Sequence, residues 1–218
     1  MSSRDAIMQR IRQGLSARAG QPPALPPVPE VWPRGTSDPE TLAQRFAAEL
    51  SAVHGETIRC RTMDEARQHL AELVHTAGWT TLGALDRPLA REVAADLPAA
   101  GLTWIPPDAP SGRIAELPAG LITAECLLAD TGTCAVSCPT AAERLMCYLP
   151  PACVIVARIE QLAEHLTAAW PGLSQRCLDA QGRGELVLIT GPSRTSDIEK
   201  VLILGVHGPM RLVVLLVG

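Results

Sequence analysis

RLVVLLV, Arg211 to Val217, carries one charge at its start and nothing polar after it. A strand with one wet face alternates apolar and polar side chains, whereas a strand buried on both faces has no need to. ACVIVA, Ala152 to Ala157, and ELVLIT, Glu185 to Thr190, read as the same kind of aliphatic strand. Helical patterns over Glu143 to Tyr148 and Ile159 to Trp170 flank the first of these runs. Unalternating strands interleaved with helices predict an α/β fold: an open, mostly parallel sheet with helices on both faces.

Working outward, the same interleaving continues upstream. Asp38 is an N-cap and Pro39 a first helical residue for a helix over Thr41 to Val53. Strands follow at Glu56 to Cys60, Trp79 to Leu82 and Leu102 to Ile105, with helices over Met63 to Ala77 and Pro88 to Leu97. Two apolar stretches, Leu121 to Leu128 and Cys134 to Ser137, are separated by Ala129-Asp130-Thr131-Gly132-Thr133. The regular region thus spans residues 38–218. Residues 1–20 hold an amphipathic helix, with Ile7, Met8, Ile11 and Leu15 on one stripe that can dock on its own domain or on a partner. Residues 21–37 form a proline-rich tether, since six prolines between Gln21 and Pro33 exclude helix and central strand.

Composition narrows the function. Of 218 residues 47% are hydrophobic, enough to fold, but only 3% are aromatic, so the core is aliphatic and stacking platforms for single-stranded nucleic acid are not expected. The formal charge is −4 and no basic stripe is visible, which argues against nucleic acid as a partner. Met1 to Gln13 lacks the apolar core of a signal peptide, and no run approaches the ~20 apolar residues of a membrane span. The expected compartment is the cytoplasm. Seven cysteines occur without a CxxC pair, which predicts buried thiols packing as small hydrophobes and no metal site.

Three stretches carry candidate chemistry. In Gly191-Pro192-Ser193-Arg194-Thr195-Ser196-Asp197 a strand ends and a polar turn leads to an apolar segment, with Ser196 and Glu199 at capping-box spacing. A helix start after a strand presents free N–H groups, and Ser193, Thr195 and Arg194 add hydroxyls and a guanidinium fork for a carboxylate or phosphate. Such a loop belongs at the carboxyl end of an open sheet, where ligands of these folds sit. Without a ligand, the same residues serve as a strand-to-helix turn. Asp130-Thr131-Gly132-Thr133 is a turn or a second pocket wall, with Asp130 as a candidate acid or base. Gly205-Val206-His207-Gly208-Pro209 gives His207 a tight backbone path, for a proton shuttle, a carboxylate contact or a structural turn. No GxGxxG, Walker A or GxSxG pattern is present.

Together, in this order, GPSRTSDIEKVLILGVHGP (Gly191 to Pro209), LADTGT (Leu128 to Thr133) and RLMCYLPPACVIVA (Arg144 to Ala157) resemble the LUD-domain family, with lactate-utilisation protein C its most similar branch. The resemblance covers roughly Leu121 to Gly218. It implies a fold of the NagB/RpiA/CoA-transferase type and a part in oxidation of L-lactate to pyruvate. It also implies two iron–sulfur partners, lactate-utilisation proteins A and B, that hold the clusters, leaving this chain without a cofactor of its own. The ligand site implied is a small anionic metabolite held by Gly191, Ser193, Arg194, Thr195, Ser196, Asp197, Thr131, Gly132, Thr133 and His207. Ala124 and Glu125 depart from the Gly and Ala/Cys that relatives carry before the Asp-Thr-Gly-Thr turn, and Asp130 stands where many relatives have Glu. A stand-alone enzyme acting on a sugar phosphate or acyl-CoA and a non-catalytic adaptor are the alternatives. The sequence assigns this chain no chemical step and no oligomeric state.

Overall fold

The computed structural model describes residues 3–16, 38–178, 184–195, 203–204 and 208–218. The chain divides into two compact units, Met1–Gly35 and Thr36–Gly218. In the first, α1 (Ser3–Ser16) has no buried residue, and Ile7, Met8, Ile11 and Leu15 stand exposed along it. The stretch read as a tether, 21–37, lies outside the described residues.

The second unit opens with α2 (Pro39–Ala52), capped by Asp38, whose Oδ1 accepts the Glu40 and Thr41 N–H groups at 3.1 Å. β1 (Glu56–Cys60), α3 (Met63–Thr76), β2 (Leu82–Leu85), α4 (Pro88–Val93), β3 (Leu102–Ile105), α5 (Ser111–Ala115) and β4 (Ala119–Thr123) follow. Then come β5 (Cys126–Leu128), β6 (Thr133–Cys138), α6 (Ala141–Met146), β7 (Ala152–Arg158), β8 (Leu162–Ala163), α7 (Leu166–Leu178) and β9 (Glu185–Ile189). The chain ends with β10 (Arg194–Thr195), β11 (Ile203–Leu204) and β12 (Arg211–Val217).

Six strands form one parallel sheet in the order β1-β12-β7-β4-β2-β3. β12 and β7 lie inside it, which is why their sequences do not alternate. Val213, Leu215 and Val217 join Val154 and Val156 in a core closed by Leu70 of α3 and Val93 of α4. The intervening Leu212, Val214 and Leu216 join Cys153 and Ile155 in a second core, closed by Phe46 and Leu50 of α2 and Met146 of α6. Helices therefore cover both faces of an open α/β sheet, as the sequence predicted.

A second sheet was not anticipated. β8-β5-β6-β9 are hydrogen-bonded in that order, with β6 antiparallel to both β5 and β9. One face, with Leu127, Cys134, Val136 and Val187, adds to the core that holds Phe46. The other, with Cys126, Leu128 and Ala135, packs on Leu173 of α7. This corrects the reading of ELVLIT as a strand of the parallel sheet. β9 pairs with β6 at the edge of the smaller sheet, so Val187 is buried while Leu188 is 46% exposed.

Other element readings shift, and the helix read over Pro88 to Leu97 ends at Val93. The helix expected over Ile159 to Trp170 is a 3-10 turn at Ile159–Gln161, then β8, then α7. Gln161 ties this segment to its surroundings: Oε1 accepts the Arg158 N–H and Nε2 donates to the Ala124 carbonyl, each at 2.6 Å. The strand expected at Trp79 to Leu82 begins at Leu82, because Gly78 (φ +64°) ends α3 and the chain needs the next residues to reach the sheet. No helix among the described residues is long and apolar enough to cross a membrane.

Candidate functional site

Gly132 and Gly191 fix where two of the candidate stretches meet. Both have left-handed backbone, φ +62° and +83°. A Cβ at Gly132 would lie 2.7 Å from Leu50 Cα, and one at Gly191 would lie 2.8 Å from the Val53 carbonyl oxygen. Both turns are therefore pressed against the C-terminal end of α2, where a side chain has no room.

The two turns are then joined through hydroxyls. Thr133 Oγ1 lies 2.7 Å from Thr190 Oγ1 and 2.8 Å from Thr131 Oγ1, and Thr131 donates to Asp130 Oδ1 at 3.2 Å. Each threonine has one proton to give. With the Thr131 proton on the carboxylate, Thr133 must donate to Thr131 and Thr190 to Thr133. The run is thus polarised toward Asp130, and the exposed Thr190 oxygen is left as an acceptor. Thr133 is the one buried polar residue among the described residues, and its two partners satisfy it.

The third stretch arrives from the other side. Ser193 N–H donates to the Pro209 carbonyl at 2.8 Å, and Gly208 lies against Ser193, whose Cβ would be 3.2 Å from an added Cβ. Met210 N–H in turn donates to the Pro151 carbonyl at 2.8 Å. Arg194 and Thr195 run antiparallel to Leu204 and Ile203. For these two residues only the backbone is described; Ser196, Asp197 and His207 lie outside the described residues, as does the helix start read at Ser196. The loop also does not sit where the open-sheet rule put it. β9 is not a strand of the parallel sheet, and Ser193 is tied to Pro209 just before β12, so it lies toward the amino ends of β12 and β7.

The departures at Ala124 and Glu125 have structural partners. Ala124 is buried, its N–H donating to the Val156 carbonyl and its carbonyl accepting from Gln161. Glu125 forms an ion pair with Arg176 of α7. Thr190 was read in the sequence only as the end of a strand, and the end of α2 was not singled out. Thr190 had one signal, a polar residue closing an aliphatic run; Leu50 and Val53 had none, because they act through backbone. His54, beside Val53, holds φ +67° with its side chain exposed, a conformation that histidine adopts more readily than most non-glycine residues.

Known proteins agree with this architecture. Lactate utilization protein C of Bacillus pumilus is 31% identical over 107 residues, an alignment spanning 48% of this chain and 45% of that protein. Lactate utilization protein C of an Exiguobacterium species is 26% identical over an alignment of 239 positions, spanning all of this chain and 96% of the relative. The first of these alignments thus reaches less than half the length of its relative, while the second runs nearly end to end. In structure, the chain resembles the crystal structure of a DUF162 family protein from Deinococcus radiodurans, with a TM-score of 0.56 and 16% identity over 84% of this chain and 99% of that one. The family model for the LUD domain matches residues 43–217, from the second turn of α2 to the end of β12. The chain belongs to the LUD-domain family.

Proposed function

We propose that this protein serves L-lactate utilisation in the cytoplasm, as one component of a system that oxidises L-lactate to pyruvate. The proposal assigns the redox clusters to iron–sulfur partners, lactate-utilisation proteins A and B, and to this chain the holding of a small anionic metabolite. Support for the pathway comes from relatives that carry the name lactate utilization protein C. Support for the site comes from one observation above the rest: the Thr133–Thr190 contact, which joins the Asp130–Thr133 turn to the Gly191 loop.

The chemistry suits a hydroxy acid. Arg194 would supply the guanidinium for a carboxylate, and the Thr190 oxygen, left as an acceptor, would accept a hydrogen bond from a neighbouring hydroxyl. Calorimetry of the purified chain with L-lactate, pyruvate, inorganic phosphate and coenzyme A tests this. Binding of L-lactate above the others is expected, and Arg194→Ala should weaken it by about 1.5–3 kcal/mol. Deleting the gene should abolish growth on L-lactate, and unimpaired growth of the deletion strain would remove the pathway assignment.

A further inference from the structure

β6 ends at Cys138, and α6 ends one residue before Cys147. A tight capping box at the start of α6, with Thr140 and Glu143 hydrogen-bonded to each other's backbone N–H groups, folds the segment back so that the two thiols meet. Their sulfurs are 3.7 Å apart, and both residues are buried, 3% and 2% exposed. The residues beside them reach the surface: Tyr148 is 43% exposed, and the exposed Gly184 sits against the Cys138 carbonyl and Pro139.

We infer that Cys138 and Cys147 are a dithiol modification site, closed to a disulfide by a hydroperoxide. Cys138 is the attacking sulfur. The hydrogen bond between the two sulfurs holds the Cys138 thiol below its ordinary range, while the same contact, with burial, pushes Cys147 well above it. In the first step the Cys138 thiolate attacks one oxygen of hydrogen peroxide; the O–O bond breaks, the departing hydroxide takes up the proton that Cys138 gave up and leaves as water, and Cys138 becomes a sulfenic acid. In the second the Cys147 sulfur attacks that sulfur, the S–O bond breaks, and the departing hydroxide takes the Cys147 proton as water. Two thiols lose two electrons and two protons, and one peroxide becomes two waters. A disulfide needs about 2.05 Å between sulfurs, so closure draws them in from 3.7 Å and ties the end of β6 to the end of α6. That segment carries Glu143, which holds Arg87 at 2.5 Å. Oxidation therefore acts on the contact between α6 and the chain beyond β2.

The test is thiol counting on the full chain. Reduced protein is treated with equimolar hydrogen peroxide, unfolded, alkylated and weighed. Labelling is expected to fall by two from the seven cysteines, with loss of two hydrogens and no added oxygen. Tryptic digestion should yield a cross-link between peptides 114–144 and 145–158, and fragmentation should place it at Cys138 and Cys147. Cys134→Ser and Cys153→Ser should keep the loss of two thiols, while Cys138→Ser and Cys147→Ser should each abolish it. Seven labels after oxidation, a cross-link at another pair, or a bond between chains would overturn the assignment. The mapping of the unsubstituted chain decides the matter even where a variant fails to fold.

Discussion

β12 and β9 look alike in sequence and do opposite work. RLVVLLV lies between β1 and β7 in the parallel sheet, and every residue from Leu212 to Val217 is buried. ELVLI lies at the edge of the smaller sheet, where only Val187 is buried, and it delivers Thr190 to the hydroxyl run. The larger sheet gains its cohesion from aliphatic area on two faces; the smaller one spends one edge on polar residues and turns. An apolar run reports that a strand exists, whereas its neighbours decide how much of it water reaches.

Substitutions can break or sharpen this contrast. The largest effect is expected in the larger sheet: Leu215→Ala opens a cavity in a fully buried position and should cost about 2–5 kcal/mol in denaturant unfolding. A loss no greater than that of Leu188→Ala would dissolve the distinction between the sheets. Next is Gly132→Ala, where a left-handed backbone and the Leu50 backbone leave no place for a methyl group. Its cost should be of order 1–3 kcal/mol from backbone strain, with steric overlap adding to it, read as a lowered melting temperature.

Thr133→Val keeps the shape and removes both hydroxyl contacts. Stability should fall by about 1–2 kcal/mol, and calorimetric binding of L-lactate should fall with it if the hydroxyl run supports the site. Retained binding would separate the run from the ligand. Smaller still is the pH response of the Glu56–Arg211 pair at the amino ends of β1 and β12. Arg211 lowers the Glu56 carboxyl below its ordinary 4.5, so the folded state favours the ionised form. The stabilisation is in place above the ordinary value and is lost as pH falls through the lowered one. For this half-exposed pair it is worth about 0–1 kcal/mol, and Glu56→Gln should flatten that part of the acid limb. Leu188→Ala, on the exposed face of β9, should stay within about 0.5 kcal/mol.

Much of the parallel sheet was legible because burial on both faces leaves a mark in composition. β7 and β12 stand where aliphatic runs placed them, β1 and β3 keep the bounds read for them, and α2 starts where Asp38 and Pro39 said it should. The smaller sheet was not legible, since β5 and β8 have three and two residues and carry no period. The helix expected across 159–170 failed for a related reason: Gln161 bonds to Ala124, a partner far away in sequence. For the candidate site, the three stretches could be picked out by their Gly, Thr, Ser and Arg content. Their meeting could not, because Thr133–Thr190 and Ser193–Pro209 are contacts between distant segments, one of them through backbone.

The sequence by itself determined the class of fold, the buried strands β7 and β12, the burial of the described cysteines and the LUD resemblance carried by Gly191–Pro209, because each follows from local pattern. Only the tertiary structure decided that β9 leaves the parallel sheet, that the Asp130 turn and the Gly191 loop share one hydroxyl run against α2, and that Cys138 faces Cys147. These depend on which distant segments pack together, and pairing of that kind is set by the closing of whole cores rather than by any single stretch of chain.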